Sequence, residues 1–389
     1  MGSDTARVSS SVTIRIGLVL TLAFAVIGSV RFARFDWTGL PLDRAPITSE
    51  RQVGDCLEKI KPYVTESGRV IKPVVVDEMQ YLALVEHFRG VPDSELQVTC
   101  LYDPFTFRSA ISWVAHWLPF DEALSLGLTN SFLTIVSIWL VVLTLREQKF
   151  TPRVIFAAGA LYTVSWNLFY FGSVLLIDPG VVVALTLSWL LILKKRPWFV
   201  LPILALGYPL RDTFVIMIPV IWAWCWAQYR DEQRSRFECV SIAASSALVF
   251  FVSIPIWRAV LPQPAAAWEV TPDLTDVISN LGDPIGLMSF AVGVLPLALP
   301  SWFVFKRTRA SKGWMAALTD PATVGVIMAL GICGWTLITV DLTPRLFWIG
   351  YPFAVTLAAR WLSDGRPAER LAALRIPFLG GADLEPVRS

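Results

Sequence analysis

The sequence has few charged residues and very few histidines, and both shortages restrict what the protein can be. Charged residues make up 16% of the 389-residue chain, whereas soluble domains carry about 25%, so a soluble fold is not expected. The net charge of +2 is too small to attract a nucleic acid. The two histidines, His87 and His116, are too sparse for a zinc site and are expected to be ordinary interfacial side chains.

Long apolar blocks take the place of the missing charge, and the mean hydropathy is +0.58. A helix needs about 20 apolar residues to cross a hydrocarbon core of about 30 Å. The shorter pair 198–210 and 212–228 suits a hairpin that turns at the outer interface. We therefore predict an all-α polytopic membrane protein with about ten transmembrane helices and an outward first loop that carries interfacial helices. The candidate spans are 13–32, 123–145, 154–175, 179–193, 198–210, 212–228, 237–257, 285–305, 321–340 and 345–362.

Basic residues in the short loops predict the orientation, because loops rich in Lys and Arg stay in the cytoplasm. One set of loops holds thirteen basic residues, and the opposite set holds only Arg211, Arg258 and Arg345. We expect a multi-pass protein of the plasma (inner) membrane with both termini in the cytoplasm. The thirteen are Arg146, Lys149, Arg153, Lys194, Lys195, Arg196, Arg230, Arg234, Arg236, Lys306, Arg307, Arg309 and Lys312.

This orientation divides the chain into four regions. The first apolar block is expected to be a retained signal anchor, because no small-residue cleavage site follows it. Cys56 and Cys100 lie in the exported loop and could form a disulfide or remain free thiols. The regions are a cytoplasmic tail with the anchor helix (1–32), an extracytoplasmic loop with interfacial helices (33–122), a transmembrane helical bundle (123–362) and a cytoplasmic tail (363–389).

Ionisable residues near the predicted spans gather at the outer ends, and almost none lies at mid-membrane depth. Ion pathways place charged residues partway across the membrane, and many transporters have internal repeats and broken helices. None of these features is visible in the sequence. A shallow polar site that opens to the outside is therefore favoured. Asp178 could instead cap a helix, Arg211 and Asp212 could form a local ion pair, and Arg345 could anchor the chain at the interface. The outer residues of interest are Asp178, Arg211, Asp212, Asp341 and Arg345.

Two adjacent carboxylates, Asp77 and Glu78, begin the stretch DEMQYLALVEHFRG in the first outer loop. The apolar spacing predicts an amphipathic helix that stops at Gly90. Capping by Asp77 and a favourable dipole interaction of Glu78 are one explanation for the pair. A general base is the other, because a carboxylate can take the proton of an acceptor hydroxyl.

A second amphipathic stretch, YDPFTFRSAISWVAHWLP, contributes Asp103 and Arg108. Its aromatic residues would let it lie along the outer leaflet, so that two interfacial helices cover the bundle and bring loop carboxylates to the arginines at the span ends. Guanidinium groups match phosphate geometry, which suits sugar transfer from a lipid phosphate. The aromatic residues are Phe105, Phe107, Trp113 and Trp117.

These features resemble the GT-C superfamily of glycosyltransferases, in the bacterial branch that depends on polyprenyl-phosphate sugars. DEMQYLALVEHFRG and DPFTFRSAISWVAHWLP are similar to family segments that carry Asp-Glu-x-x-Tyr and then Pro-Phe-x-Tyr-Arg. IDPGVVVALTLSWLL, LRDTFVIMIP and PRLFWIGYPFAV resemble later family segments in the same order. The chain departs from the family at Arg211-Asp212-Thr213, where the family has Lys-Glu-Thr, and at Phe107-Arg108, where it has Tyr-Arg.

The resemblance implies an inverting displacement with a first-loop carboxylate as general base. The donor would be a polyprenyl-phosphate sugar, and the acceptor a hydroxyl of a glycan, lipid or protein on the extracytoplasmic face. The implied catalytic residues are Asp77 and Glu78, the implied phosphate contacts are Arg108, Arg211 and Arg345, and the implied contacts to sugar hydroxyls or arginines are Asp178 and Asp212, with Asp341 as a further substrate-binding candidate.

The requirement for a metal stays open. Asp77, Glu78 and Asp103 supply the hard oxygen ligands that Mg²⁺ or Mn²⁺ prefers, whereas the first loop lacks a D-x-D pattern, which favours a metal-independent reaction. The alternatives to sugar transfer are a multi-pass transporter or lipid flippase, a lipid-linked polysaccharide polymerase or ligase, and a membrane scaffold.

Overall fold

The computed structural model describes residues 8–32, 50–53, 56–59, 63–68, 70–71, 76–98, 100–172, 175–267, 271–339 and 342–373. Helices dominate this part of the chain. The α-helices are α1 (Ser10–Phe32), α2 (Val76–Phe88), α3 (Ala110–His116), α4 (Glu122–Glu147), α5 (Pro152–Thr163), α6 (Trp166–Phe171), α7 (Asp178–Leu193), α8 (Val200–Ala205), α9 (Gly207–Leu210), α10 (Met217–Arg230), α11 (Arg236–Val260), α12 (Leu274–Gly282), α13 (Pro284–Lys312), α14 (Trp314–Leu318), α15 (Pro321–Leu337), α16 (Tyr351–Leu362) and α17 (Gly365–Ala373). Short 3₁₀ segments are Asp93–Glu95, Thr106–Arg108, Pro197–Phe199, Asp212–Ile216 and Pro344–Gly350.

Strands are few and short. Two antiparallel pairs lie in the first loop, and one parallel pair joins that loop to the segment after α11 through the partners Tyr102 with Ala266 and Asp103 with Ala267. The backbone amide of Ala265 extends the parallel pair by donating to the carbonyl of Leu101 at 2.8 Å. The strands are β1 (Glu50–Val53), β2 (Cys56–Lys59), β3 (Tyr63–Val64), β4 (Val70–Ile71), β5 (Tyr102–Asp103) and β6 (Ala266–Ala267).

Four helices within the described residues are long and apolar enough to cross a membrane: Ser10–Ser29, Glu122–Glu147, Arg236–Val260 and Pro284–Lys312. The helices Asp178–Leu193 and Pro321–Leu337 are apolar but shorter than the usual span of about 20 residues. The chain is therefore an all-α protein with helices that can span a membrane, as its sequence predicts. The number of ten crossings stays a prediction.

Four of the predicted spans contain helix interruptions within the described residues, and these were not visible in the sequence. The block 154–175 divides into α5 and α6 because Ser165 leaves the helical conformation and caps α6, its hydroxyl accepting from the amide of Leu168. The pair 198–210 and 212–228 consists of α8, α9, a 3₁₀ segment and α10, with Arg211 extended between them. The block 345–362 begins as 3₁₀ helix and becomes α16 at Tyr351.

The helix α2 is buried rather than interfacial. Its residues from Met79 to Val85 are all inaccessible to solvent because α3 and α4 pack against it. Its polar residue Gln80 donates from Nε2 to the carbonyl of Cys100 at 2.9 Å. The prediction of an amphipathic helix was wrong between Met79 and Val85, where both sides of α2 are covered, whereas Asp77 and His87 near its ends keep side chains that are 18% and 30% exposed.

The second predicted interfacial stretch is partly covered as well. Trp113 and Trp117 are exposed, as an interfacial location requires, whereas Phe105 and Phe107 are buried in the core. Cys100 is disulfide-bonded, and Cys225, Cys239 and Cys333 are buried free thiols. The side chain of Cys56, the other cysteine considered for a bridge, lies outside the described residues.

Candidate functional site

A chain of alternating charges joins the first turn of α2 to the ends of later helices. Arg345 Nη2 donates to Asp77 Oδ2 at 3.0 Å, and Arg345 Nε lies 3.3 Å from Asp178 Oδ2. Arg211 Nη1 donates to the other oxygen of Asp178. Asp178 is fully buried, and the side chains of Arg211 and Arg345 are 3% and 11% exposed.

Each member of this chain stands where helical structure begins or breaks. Asp77 lies in the first turn of α2, and Asp178 is the first residue of α7. Arg211 has an extended backbone between α9 and the next 3₁₀ segment, and Arg345 follows Pro344 in a 3₁₀ segment. Chain breaks let charged side chains from separate elements meet while the helices themselves stay apolar.

A second ion pair adjoins this chain. Arg108 Nη2 donates to Asp212 Oδ2 at 2.7 Å, and Asp212 follows Arg211 directly. We refer to the six residues Asp77, Asp178, Asp212, Arg108, Arg211 and Arg345 as the charge cluster. It contains three carboxylates and three guanidinium groups.

The contacts in the charge cluster bear on the alternative roles that the sequence left open for Asp178, Arg211 and Arg345. Arg211 and Asp212 do not pair with each other, because Arg211 binds Asp178 and Asp212 binds Arg108. Ile177 occupies the N-cap of α7, with no capping side-chain hydrogen bond, so Asp178 serves the arginines. Arg345 is buried against the carboxylates of Asp77 and Asp178.

The arginines of the cluster have hydrogen-bond donors to spare. A guanidinium group carries five N–H donors, and in the described part of the chain the buried Nε atoms of Arg108 and Arg211 have no hydrogen-bond partner. Burial lowers the pKa of Arg211, and the positive charges of Arg345 and Arg108 lower it further. An oxyanion that entered the cluster would use the spare donors and reduce the repulsion between the arginines.

Tyr81, the tyrosine of the Asp-Glu-x-x-Tyr pattern, belongs to the same region, although the sequence analysis did not assign it to the site. Its side chain is fully buried, and its hydroxyl has no hydrogen-bond partner among the described residues. Burial raises the pKa of Tyr81, while the positive charge of Arg108 opposes the rise and the negative charge of Asp77 adds to it. The hydroxyl is therefore protonated at neutral pH and able to donate.

Asp103 and Arg258 form a more exposed pair at the edge of the cluster. Arg258 Nη2 lies 3.8 Å from Asp103 Oδ2, and Arg258 Nε donates to the Tyr208 hydroxyl at 2.9 Å. The Arg258 guanidinium also lies over the Phe107 ring, 4.9 Å from its centroid. Burial raises the pKa of Asp103, against the opposing charges of Arg258 and Arg108.

The segment that carries Arg345 is held by polar side chains from apolar helices. Asn167 Nδ2 donates to the carbonyl of Pro344 at 3.0 Å, and a Cβ placed on Gly293 would lie 2.4 Å from Pro344 Cβ. Asn280 on α12 accepts from the amide of Leu342 at 2.7 Å and donates to the carbonyl of Leu337 at 3.1 Å. The only sequence sign of Asn167 was an amide within an apolar block.

No protein-family model matches this chain, and no curated protein matches it.

Two predicted site residues lie outside the charge cluster. Glu78 is buried with 7% of its surface exposed, and Asp341 lies outside the described residues. The predicted site residues that the structure brings together are thus the six of the charge cluster.

The acidic residues considered as metal ligands are engaged elsewhere. Asp77 contacts Arg345, and Asp103 lies beside Arg258. In the part of the chain that the structure describes, no three His, Cys, Asp or Glu side chains are placed to share a metal ion. With their carboxylates facing arginines, Asp77 and Asp103 do not fit a Mg²⁺ or Mn²⁺ site as they stand.

Proposed function

We propose that this protein is a membrane glycosyltransferase of the GT-C type. It moves a sugar from a polyprenyl-phosphate donor to an acceptor hydroxyl on the extracytoplasmic face of the plasma (inner) membrane. The observation that carries the proposal is the contact of Asp77, from the first outer segment, with Arg345, within a cluster whose other arginines have unused buried donors. A carboxylate and several guanidinium groups at one place match the needs of a displacement at a sugar phosphate.

Asp77 is the better candidate for the base. Its side chain is 18% exposed, whereas Glu78 as a whole is 7% exposed, so an acceptor reaches Asp77 more easily. Asp77 also contacts the arginine that would bind the donor phosphate. When a phosphate binds the guanidinium of Arg345, the Asp77 carboxylate loses the contact with Arg345 and becomes a better proton acceptor.

The reaction is a single displacement. The acceptor oxygen attacks the anomeric carbon, its proton passes to Asp77, and the bond between the anomeric carbon and the phosphate oxygen breaks. The polyprenyl phosphate leaves with the bond's electron pair, and Arg108, Arg211 and Arg345 stabilise the charge that develops on it. Asp178 holds Arg211 and Arg345 from behind, and Asp212 holds Arg108.

The test is transfer of labelled sugar in membranes that contain the full-length protein. The probes are radiolabelled polyprenyl-phosphate hexoses and pentoses, and the variants are Asp77→Asn and Glu78→Gln. Asp77→Asn is expected to reduce transfer by about 10²- to 10⁴-fold, the usual contribution of a general base. Asp93→Asn is the matched control, because Asp93 lies in the same outer segment and pairs only with His87 among the contacts described. Normal turnover by both Asp77→Asn and Glu78→Gln would refute the proposal.

A transporter or lipid flippase is the second candidate, and the interrupted helices favour it. Discontinuous helices often mark substrate sites in transporters, and here α5 and α6, and α9 and α10, are separated by non-helical or 3₁₀ residues near the charge cluster. Reconstituted vesicles distinguish the two functions. A transporter moves a polyprenyl phosphate between leaflets without changing it, whereas a glycosyltransferase yields a glycosylated acceptor and free polyprenyl phosphate.

A further inference from the structure

The hydroxyl of Tyr81 is an unexplained polar group in a buried place. Nearly all buried hydroxyls in native proteins have a hydrogen-bond partner, because burial removes the water that would otherwise satisfy them. The Tyr81 side chain is 0% exposed, and its hydroxyl has no partner within the described residues. Tyr162 gives the ordinary case in the same protein, since its buried hydroxyl lies 2.7 Å from Ser137 Oγ.

Tyr81 is directed toward the charge cluster by its position on α2. It follows Asp77 by four residues, and residues four apart lie on the same face of a helix. Its ring packs edge-on against Phe105, with centroids 5.5 Å apart, and its carbonyl accepts from Ser112 Oγ at 3.1 Å. Phe105 stands three residues before Arg108, so the packing that fixes the Tyr81 ring also fixes the segment that carries Arg108.

Most of the unused groups around Tyr81 are donors, and the unused acceptor of the cluster, Asp178 Oδ2, lies 3.3 Å from Arg345 Nε. The Nε atoms of Arg108 and Arg211 are buried without partners, and both arginines act electrostatically on Tyr81. The cluster carboxylates already accept from arginines. These unused donors would be satisfied by a negatively charged ligand with several hydrogen-bond acceptors. Phosphate oxygens are strong acceptors of this kind.

We propose that the Tyr81 hydroxyl, with Nε of Arg108 and Nε of Arg211, forms an oxyanion-binding subsite that takes a phosphate group. This inference rests on the proposed function, because it assigns the subsite to the phosphate of the lipid donor. Tyr81 is then a ligand-binding residue and not only part of the core. Its neutral hydroxyl adds a donor at a fixed distance from the backbone without adding a further charge to the cluster.

The variant Tyr81→Phe separates binding from packing. It keeps the ring and deletes only the hydroxyl, so a Tyr81 that serves packing alone would bind ligand as the wild type does. If the hydroxyl has no partner until a ligand binds, its deletion does not lower the stability of the unliganded protein, because an unsatisfied buried group is removed. Affinity for a phosphate ligand falls about tenfold, because a hydrogen bond to a charged acceptor is lost.

The experiment measures thermal unfolding of the purified full-length protein in detergent, titrated with farnesyl phosphate, farnesol or inorganic phosphate. Farnesyl phosphate is expected to stabilise the wild type and farnesol is not; stabilisation by inorganic phosphate as well would show that the phosphate alone is recognised and that the lipid adds little. Tyr162→Phe is the matched control. It loses a satisfied hydrogen bond, so its unfolding temperature falls while its affinity for farnesyl phosphate stays unchanged.

The outcomes separate this inference from the proposed function. Wild-type affinity in Tyr81→Phe together with lost binding in Arg345→Gln would overturn the subsite and leave the proposed function standing. A fall in the unliganded stability of Tyr81→Phe as large as that of Tyr162→Phe would also overturn the subsite, since it would show a partnered hydroxyl. Absence of any stabilisation of the wild type by farnesyl phosphate would overturn both.

Discussion

Arg345 Nη2 lies 3.0 Å from Asp77 Oδ2, although 268 residues separate them in the chain. The contact joins the start of α2 to the segment before α16, and Asp178 at the start of α7 also contacts Arg345. Charges buried in this way are stable only when each is paired. The cluster therefore fixes the position of the outer segment over the bundle as well as forming the candidate site.

The buried pair of Asp178 and Arg211 is expected to be a strongly coupled unit. Asp178→Asn leaves Arg211 and Arg345 with less compensating charge, so the free energy of unfolding falls by about 3 kcal/mol. Arg211→Gln has a similar effect, and the double variant loses less than the sum of the two. Denaturant unfolding in detergent measures all three, with Asp93→Asn as an exposed control that changes stability by less than about 0.5 kcal/mol. Simple additivity would show that the two residues act independently.

Gly293 is expected to control the position of Arg345 by close packing. A methyl group there would lie 2.4 Å from Pro344 Cβ and 3.0 Å from Asn167 Oδ1. Gly293→Ala therefore displaces the residue before Arg345, lowers the unfolding free energy by about 1–3 kcal/mol and weakens binding of farnesyl phosphate. Gly331→Ala is the control, because nothing lies within 4 Å of a Cβ at that helical position. Equal behaviour of the two variants would mean that Pro344 moves aside freely.

Asp103 gives a pH dependence of predictable sign. Burial raises its pKa above the ordinary 3.8 despite the charges of Arg258 and Arg108, so the folded state binds this proton more tightly than the unfolded state does. Ionised Asp103 therefore reduces stability at neutral pH, and this loss is recovered as the pH falls through the raised folded-state pKa toward the unfolded value.

The variant Asp103→Asn is accordingly expected to be more stable than the wild type at neutral pH. The difference shrinks on acidification toward about pH 4, where the wild-type carboxyl also becomes neutral in the folded state. Thermal unfolding of both proteins across this range measures the effect. A variant that is less stable at neutral pH would show that the contact with Arg258 outweighs burial.

The orientation of the chain is testable with cysteine labelling. Thr271→Cys is expected to react with a membrane-impermeant reagent on intact cells, and Arg309→Cys only after permeabilisation, because the basic loops are predicted to be cytoplasmic. The wild type provides a low background, since Cys225, Cys239 and Cys333 are buried and Cys100 is disulfide-bonded. The reverse pattern would place the charge cluster in the cytoplasm and rule out an extracytoplasmic reaction.

Charge position was the most informative sequence signal. Ionisable residues are costly near lipid, so the few that stand beside apolar blocks had to serve a purpose, and Asp178, Arg211 and Arg345 do meet in one cluster. The pairing itself was not readable from the sequence. Arg211 pairs with Asp178, 33 residues away, and not with its neighbour Asp212. This pairing depends on how α7 packs beside α9.

Helix burial and helix interruption were the less predictable features. The stretch from Met79 to Val85 contains a single strongly polar residue, Gln80, so its periodicity could not tell a half-buried helix from a fully buried one. The break at Ser165 depends on one capping hydroxyl inside an apolar block, a signal that also occurs within uninterrupted helices. Tyr81 is the tyrosine of the Asp-Glu-x-x-Tyr pattern, but it was not assigned to the site because an aromatic residue on an apolar face is normally core.

Full coverage of α2 between Met79 and Val85 has a practical consequence for work on the segment between α1 and α4. A fragment limited to residues 33–122 would lack α4, which packs against α2, and would expose the side chains from Met79 to Val85 to water. Such a fragment is expected to aggregate when it is produced alone. Antibodies, binders and crystallisation trials directed at the outer face therefore require the intact chain in detergent or lipid.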